Sequence, residues 1–386
     1  MRRSSRLAFA ALLSLALALG WPAAPATARF ASSGLPDHLT DQEFWQVSSD
    51  LSEPNGQFQS DNLLSNEMAF ATMVPDLIAH TKPGGVYLGV GPEQNFTYIA
   101  AMKPRWVFIT DIRRGNLELQ LMYKALFEMS ADRAEFVSRL YTKPRPAGLS
   151  KTSTVREIMN AFWDVPSADE AQYAQNLKAI DDWLTRKHGL PLSSDDLDGI
   201  AGVYRAFYWY GPAMTYSANV ALNGAAGRGV TYADLMLQSD SDGNGLSYLG
   251  SDEKFSVLKD LERKNLIVPV VGNFSGPKAL RAEGAYLRSH DATVSAFYLS
   301  NVEMYLHRAG TWGDFCANVA SMPLDDNSVF IRPRGGGVVL NTYGARSGNG
   351  TITTYSTTRG GGPQGLSGLV PMKAGTANCS AGLAPR

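Results

Sequence analysis

Two cysteines, five histidines and no run of basic residues are all that this 386-residue chain offers to thiol, metal and phosphate chemistry. His38, His80, His188, His290 and His307 are scattered, and none stands at ligand spacing from Cys316 or Cys379, so structural zinc is removed from consideration. Lys and Arg number 35 against 36 Asp and Glu, a formal charge of −1, which lacks the electrostatic footprint of a nucleic-acid binder. No G-x-S-x-G elbow, no H-E-x-x-H and no G-x-x-x-x-G-K occurs, and hydrolase and nucleotidase readings lose their usual support. The apolar run Leu7 to Leu19 falls short of the roughly 20 residues that span a bilayer, and Pro22 and Pro25 follow it.

What stands at the start instead is an export signal. Arg2, Arg3 and Arg6 form a positive region, Leu7 to Leu19 the apolar stretch, and Ala26-Thr27-Ala28 a cleavage site. The expected mature protein is periplasmic or secreted, without a stable membrane span. Ser5 occupies a position where the twin-arginine route wants an apolar residue, which points to the ordinary secretory path. No cysteine near the cleavage site invites a lipid. In an oxidising compartment the even pair Cys316 and Cys379 suggests a disulfide tying the tail to the body.

The mature chain, 44% hydrophobic over its full sequence, has enough apolar residues for a substantial core. Residues 29–83 form an N-terminal segment, polar and turn-rich from Arg29 to Gln59, with Ser65 and Asn66 as caps of a helix running to His80. From Gly84 the pattern alternates. Val86–Val90 and Trp106–Thr110 are short apolar runs, as buried parallel strands should be, with a helix over 93–102 between them and another over 117–129 behind. Residues 131–263 break the alternation as a mostly helical insertion, whose Tyr204, Phe207, Tyr208, Trp209 and Tyr210 read as core. Strands at 266–271, 293–299 and 328–331, with helices over 277–288 and from Val302, restore it. An α/β domain over 84–333 and a Gly-, Ser- and Thr-rich tail over 334–386 follow.

Gly89-Val90-Gly91-Pro92 follows the first strand directly, and Asp111 ends the second about 20 residues on, as ribose recognition in dinucleotide folds asks. The third glycine of that fingerprint is replaced by Gln94 and Asn95, which disfavours a pyrophosphate ligand. Arg113, Arg114 and Asn116 stand at the same crevice mouth, either as holders of an anionic substrate or as a solvated helix start. Ser65, Asn66 and Glu67 either close over the crevice or simply cap their helix. Asp240-Ser241-Asp242-Gly243-Asn244-Gly245 starts like a calcium loop, but Ser251 occupies the twelfth position where a bidentate glutamate belongs. A polar turn is the better reading, with an irregular calcium site on Asp240, Asp242 and Asn244 as the alternative.

Val86–Gly91, Asp111, the strand ending in Val271-Gly272-Asn273-Phe274 and the strand ending in Leu299-Ser300-Asn301 resemble the signature strands of class I methyltransferases that bind S-adenosylmethionine. The stretches from Gly89 to Phe136 and from Asn265 to Leu306 are also similar to an uncharacterised family of exported bacterial proteins with such a core. The resemblance implies a Rossmann-like, mostly parallel sheet of methyltransferase type. It puts Gly89 and Gly91 beside the amino-acid part of the cofactor, Asp111 on the ribose, Asn273 and Phe274 at the adenine, and Ser300 and Asn301 at the acceptor. Two departures stand out: Asn273 replaces the usual acidic residue, and Val302 follows Asn301 where amino-methylating enzymes carry prolines. Asn301 and Glu303 are the catalytic candidates, although a first-turn glutamate also serves the helix dipole.

The expectation is therefore an exported α/β protein that holds S-adenosylmethionine or a related nucleoside, with methyl transfer as its reaction. Two alternatives keep the fold: a binding protein that takes another small ligand in the crevice, and a calcium-stabilised surface protein.

Overall fold

The computed structural model describes residues 34–65, 67, 70–216, 230–240, 242–332 and 368–377, together with the backbone of 340–346 and 352–357. The proposed signal segment, Asn66, Ser241 and Cys379 lie outside the described residues. In chain order the elements are α1 (Asp41–Leu51), α2 (Val74–His80), β1 (Val86–Gly89), α3 (Gln94–Met102), β2 (Trp106–Asp111) and α4 (Arg114–Met129). An excursion follows through α5 (Arg133–Tyr141), α6 (Val155–Trp163), α7 (Glu170–Asp182), α8 (Ser194–Tyr210), α9 (Tyr232–Met236) and α10 (Asp252–Arg263). The chain returns through β3 (Ile267–Val271), α11 (Ala279–Ser289), β4 (Val294–Tyr298), α12 (Val302–Ala309), α13 (Trp312–Ala320) and β5 (Leu324–Ile331). It closes with β6 (Leu340–Arg346), β7 (Ile352–Thr357), β8 (Leu369–Pro371) and α14 (Met372–Ala377).

One sheet of order β3-β2-β1-β4-β5-β8 organises the molecule, parallel except for β8, which pairs antiparallel with β5. Every residue of β1, β2 and β3 is buried, the burial expected of parallel strands covered on both faces. β6 and β7 form a separate antiparallel pair in the Gly-rich tail. This is the expected Rossmann-like α/β architecture, and the described residues belong to one compact unit.

α1 is the element that the polar reading of residues 29–59 passed over. Thr40 and Glu43 make a reciprocal capping box, and Phe44, Ser48 and Leu51 are its buried positions. The helix covers the open edge of β3. Ser48 Oγ donates to the carbonyl of Pro269 at 2.6 Å, the Val271 N–H donates to Ser52 Oγ at 2.9 Å, and the Glu53 N–H donates to the Val271 carbonyl at 2.7 Å. The carbonyl of Pro269 faces outward, so its missing N–H falls on the edge side and no ladder bond is lost. An edge that invites foreign strands is thereby closed by the chain's own N-terminal segment.

The insertion is fastened to the sheet's helices by aromatic rings. Phe127 on α4 stacks on Phe136 of α5 with centroids 4.6 Å apart and packs against Phe96 of α3 at 5.3 Å. Tyr204, Phe207, Tyr208 and Tyr210 are buried as expected of core, whereas Trp209 is 57% exposed. α13 was not foreseen, and β5 begins at Leu324, four residues before the apolar stretch announced it.

Candidate functional site

In the strand order the chain reverses direction of travel between β1 and β4, and a crevice outside the carboxyl ends of the strands is expected there. A cavity of about 510 Å³ occupies this place. Gly91, Asp111, Arg113, Asn273, Phe274, Ser300 and Asn301 all line it, coming from the ends of four strands. Its size lies within the range typical of small-molecule sites.

The loop after β1 is held from behind by Asn95. Its Nδ2 donates to the carbonyls of Val90, Gly91 and Pro92 at 3.0, 3.2 and 2.8 Å, while its Oδ1 accepts from the Tyr87 hydroxyl at 2.8 Å. Gln120 Nε2 adds a second donor to the Gly91 carbonyl at 3.1 Å. With the loop's carbonyls drawn inward, trans-peptide geometry points the Gly91 N–H the other way. Gly91 adopts φ +80°, a left-handed backbone suited to glycine. Gly89 serves packing instead: a Cβ there would sit 2.0 Å from Asn95 Oδ1. Gln94, where the dinucleotide fingerprint has glycine, lines the cavity. Its Nε2 donates to the Tyr298 hydroxyl at 3.1 Å, and its buried Oε1 has no donor among the described residues.

Asp111 reaches the cavity already engaged. The Arg113 N–H, Nε and Nη2 donate to its carboxylate at 3.0, 3.1 and 3.2 Å, and Arg113 Nη1 donates to the Asp61 carbonyl. A carboxylate offers about four acceptor positions, so Asp111 retains one for a ligand. Asn273 Oδ1 accepts from the N–H and hydroxyl of Ser275, both at 3.0 Å, which leaves its amide N–H groups as the available feature. Phe274 stacks on Phe315 and meets Phe297 edge-on while still lining the cavity.

Past β4, Ser300 holds a left-handed φ of +48° and its hydroxyl donates to Glu67 Oε1 at 2.6 Å. Burial raises the Glu67 carboxyl above the usual range against the lowering effect of Ser300 and Tyr298. Residues 57–65 run along the cavity as a strap. Phe58, Leu64 and Ser65 line the cavity, and the Ser65 N–H donates to both oxygens of buried Glu93 at 3.2 Å. Burial pushes Glu93 up to about 8, so it carries its proton at neutral pH.

A family model described as "Domain of unknown function (DUF7790)" matches residues 63–190 and 210–360. The chain belongs to this family. No curated protein matches it. The match takes in the glycine loop, Asp111, and the ends of β3 and β4, so the cavity is built largely from the DUF7790 domain itself.

Four residues singled out in the DUF7790 sequence lie outside the cavity lining. Gly89 is packed against Asn95 as described. Arg114 pairs through Nε with Asp196 of α8. Asn116 is buried within α4, its Oδ1 without a partner among the described residues. Glu303 pairs with Arg332 at 2.6 Å. The Asp240 carboxylate is taken up by its own turn, accepting from the N–H groups of Asp242 and Asn244 at 3.0 and 2.8 Å and from Asn244 Nδ2 at 2.9 Å. Ser251 is the N-cap of α10, and no group of three or more His, Cys, Asp or Glu gathers as a metal site among the described residues.

Gln94 and the strap residues before Ser65 are what the sequence reading lacked as site residues; of Ser65, Asn66 and Glu67, which the sequence offers either as closing over the crevice or as a helix cap, Ser65 lines the cavity. The third glycine's absence was visible at Gln94, yet nothing in its neighbours announced that its oxygen would be left without a donor. The strap has no periodicity, because it makes its contacts with residues far away in sequence.

Proposed function

We propose that the cavity binds S-adenosylmethionine or a related nucleoside in an exported protein, with methyl transfer as the reaction. The observation that carries this reading is the meeting of Gly91, Asp111, Asn273 with Phe274, and Ser300 with Asn301 around one cavity at the strand-order reversal. The donor set fits the group in a further respect. Gln94 Oε1 is a buried acceptor without a donor, placed beside the glycine loop where an amino-acid ammonium would come to rest. Asp111 has one acceptor position for a ribose hydroxyl, and the Asn273 amide can donate to a ring nitrogen.

S-adenosylmethionine supplies an electrophilic methyl group; the chain's part is to orient the acceptor and, for a protic one, to take its proton. Glu67 takes the second task in this reading, acting through the Ser300 hydroxyl, in place of Glu303. It stands behind Ser300 with its affinity for protons raised by burial, whereas Glu303 is spent on Arg332. The same reading includes a disulfide between Cys316, buried on α13, and Cys379.

A second reading is favoured by the Arg113 fork on Asp111, which removes most of the carboxylate's capacity: the same cavity takes a different small ligand and catalyses nothing. Calorimetry of the mature protein with S-adenosylhomocysteine, S-adenosylmethionine and adenosine separates the two. Binding that weakens at least about tenfold in Asp111→Asn supports the nucleoside reading. No heat with any of the three, from protein shown to be folded, leaves only the second.

A further inference from the structure

A second cavity, of about 550 Å³, lies between α4, α8 and the outer side of the strap. Its floor is made by three glycines, Gly115 on α4 with Gly199 and Gly202 on α8, and Phe58 and Val203 add apolar wall. One carboxylate is directed into it. Glu118 is only 9% exposed, lines the cavity, and accepts no hydrogen bond from a described residue. Gly199 makes room for that carboxylate: a Cβ at this position would fall 1.9 Å from Glu118 Oε2. A nearly buried, unbonded carboxylate is costly unless a positive partner reaches it.

Among the described residues the positive group that acts on it is Arg114, one turn earlier on α4, and no ion pair joins the two. Arg114, the nearest guanidinium on the same helix, is engaged by Asp196, and Arg113, which lines the cavity, is engaged by Asp111. Asp61 on the strap lines the cavity too, and Asp195 and Asp196 act on Glu118 from α8. Carboxylates thus outnumber guanidiniums around a space with apolar walls. A lone carboxylate is a poor metal site, and no cluster of three metal-binding side chains occurs among the described residues.

We propose that this second cavity binds a small organic cation, an alkyl- or arylammonium group, with Glu118 as its counter-ion and the glycine floor accommodating the apolar body. The proposal does not depend on the nucleoside reading of the first cavity. Burial, and after it the charge of Asp196, hold the Glu118 carboxyl up at about 7. An incoming cation favours the ionised form, so affinity rises with pH through that region while the ammonium stays protonated.

The test is calorimetry at pH 8 with benzylammonium chloride against benzyl alcohol, which has similar shape and no charge. The amine is expected to bind at least about tenfold more tightly than the alcohol, and Glu118→Gln is expected to remove that preference. Gly202→Leu is the control for folding. A Cβ at 202 meets nothing within 4 Å, and leucine favours the helix over glycine, so the variant should fill the cavity and abolish binding without lowering Tm. Equal affinity for amine and alcohol, or amine binding unchanged in either variant, or no amine binding by the folded protein, overturns the proposal.

Discussion

Arg113 closes a guanidinium fork on Asp111, with Nε 3.1 Å from Oδ1 and Nη2 3.2 Å from Oδ2, and both residues are buried at the bottom of the crevice. The pair lets a charged residue end a strand at the cavity wall without leaving its charge uncompensated. Asp111→Ala would strand a buried cation and is expected to cost about 3–5 kcal/mol of stability. Asp111→Asn, which keeps an acceptor for the backbone N–H of Arg113, should cost clearly less. Urea denaturation of the two variants checks this, and wild-type stability in Asp111→Ala would show that the fork contributes little.

The second charge relationship joins three parts of the chain. His188 lies between Asp41 of α1 and Glu128 of α4, with Nδ1 2.6 Å from one carboxylate and Nε2 2.8 Å from the other. Only the imidazolium donates from both nitrogens. Burial alone would lower its pKa, but the hydrogen bonds to Glu128 and Asp41 outweigh it and raise the value above 6.5. Burial likewise works against ionised Glu128, and His188 with Lys124 overcomes it and holds the carboxyl at about 2. A raised histidine contributes stability that is complete below its unfolded value of 6.5 and is lost as pH rises through the folded value. A lowered carboxyl contributes above 4.5 and loses its share as pH falls toward 2. The Tm difference between wild type and His188→Gln should therefore be greatest from about pH 4.5 to 6.5 and shrink on both sides. A difference that does not vary with pH would mean that the histidine acts by packing alone.

Legibility followed burial. Val86–Gly89, Trp106–Asp111 and Ile267–Val271 are buried on both faces, so each wrote an uninterrupted apolar run into the sequence, and the parallel sheet could be read from them. Asp111 and Gly91 were found by the same route, because both follow directly from strand ends. α1 buries only Phe44, Ser48 and Leu51 among polar neighbours, and its sequence trace is the Thr40–Glu43 capping box. Glu118 carries no local signature at all, and Ser65-Asn66-Glu67 offers only a choice between closing over the crevice and capping a helix. The surroundings of Glu67 and Glu118 come from residues such as Ser300 and Gly199, far away in sequence, and only the fold brings them together. Arg114 and Asn116 illustrate the converse: proximity in sequence to Asp111 was a poor guide, since a helix starting at Arg114 turns successive side chains to different sides.

Cys316 and Cys379 are the only cysteines in the sequence, and Cys316 is 3% exposed on α13. Oxidised protein should give one cross-linked peptide joining the two in a map without reductant. Reduction should then lower stability by about 2–4 kcal/mol, since the bridge closes a long loop of the unfolded chain. Recovery of both as free thiols from protein purified under oxidising conditions would remove the bridge from the account.

The two glycines after β1 are adjacent in role on paper and different in structure. Gly91 stands at φ +80°, where a Cβ would have open space and meet only Gln94 Nε2 at 3.6 Å. Gly91→Ala therefore pays only for left-handed backbone, about 1–2 kcal/mol. Gly89 has no left-handed backbone but no space either, with Asn95 Oδ1 2.0 Å and Tyr87 Cε1 2.8 Å from its hypothetical Cβ. Gly89→Ala must displace Asn95, the side chain that gathers the carbonyls of Val90, Gly91 and Pro92. Three buried acceptors then lose a donor, and the expected loss exceeds about 3 kcal/mol. Denaturation of the two variants should thus show the larger effect at Gly89. The reverse order would mean that the loop is held by something other than Asn95.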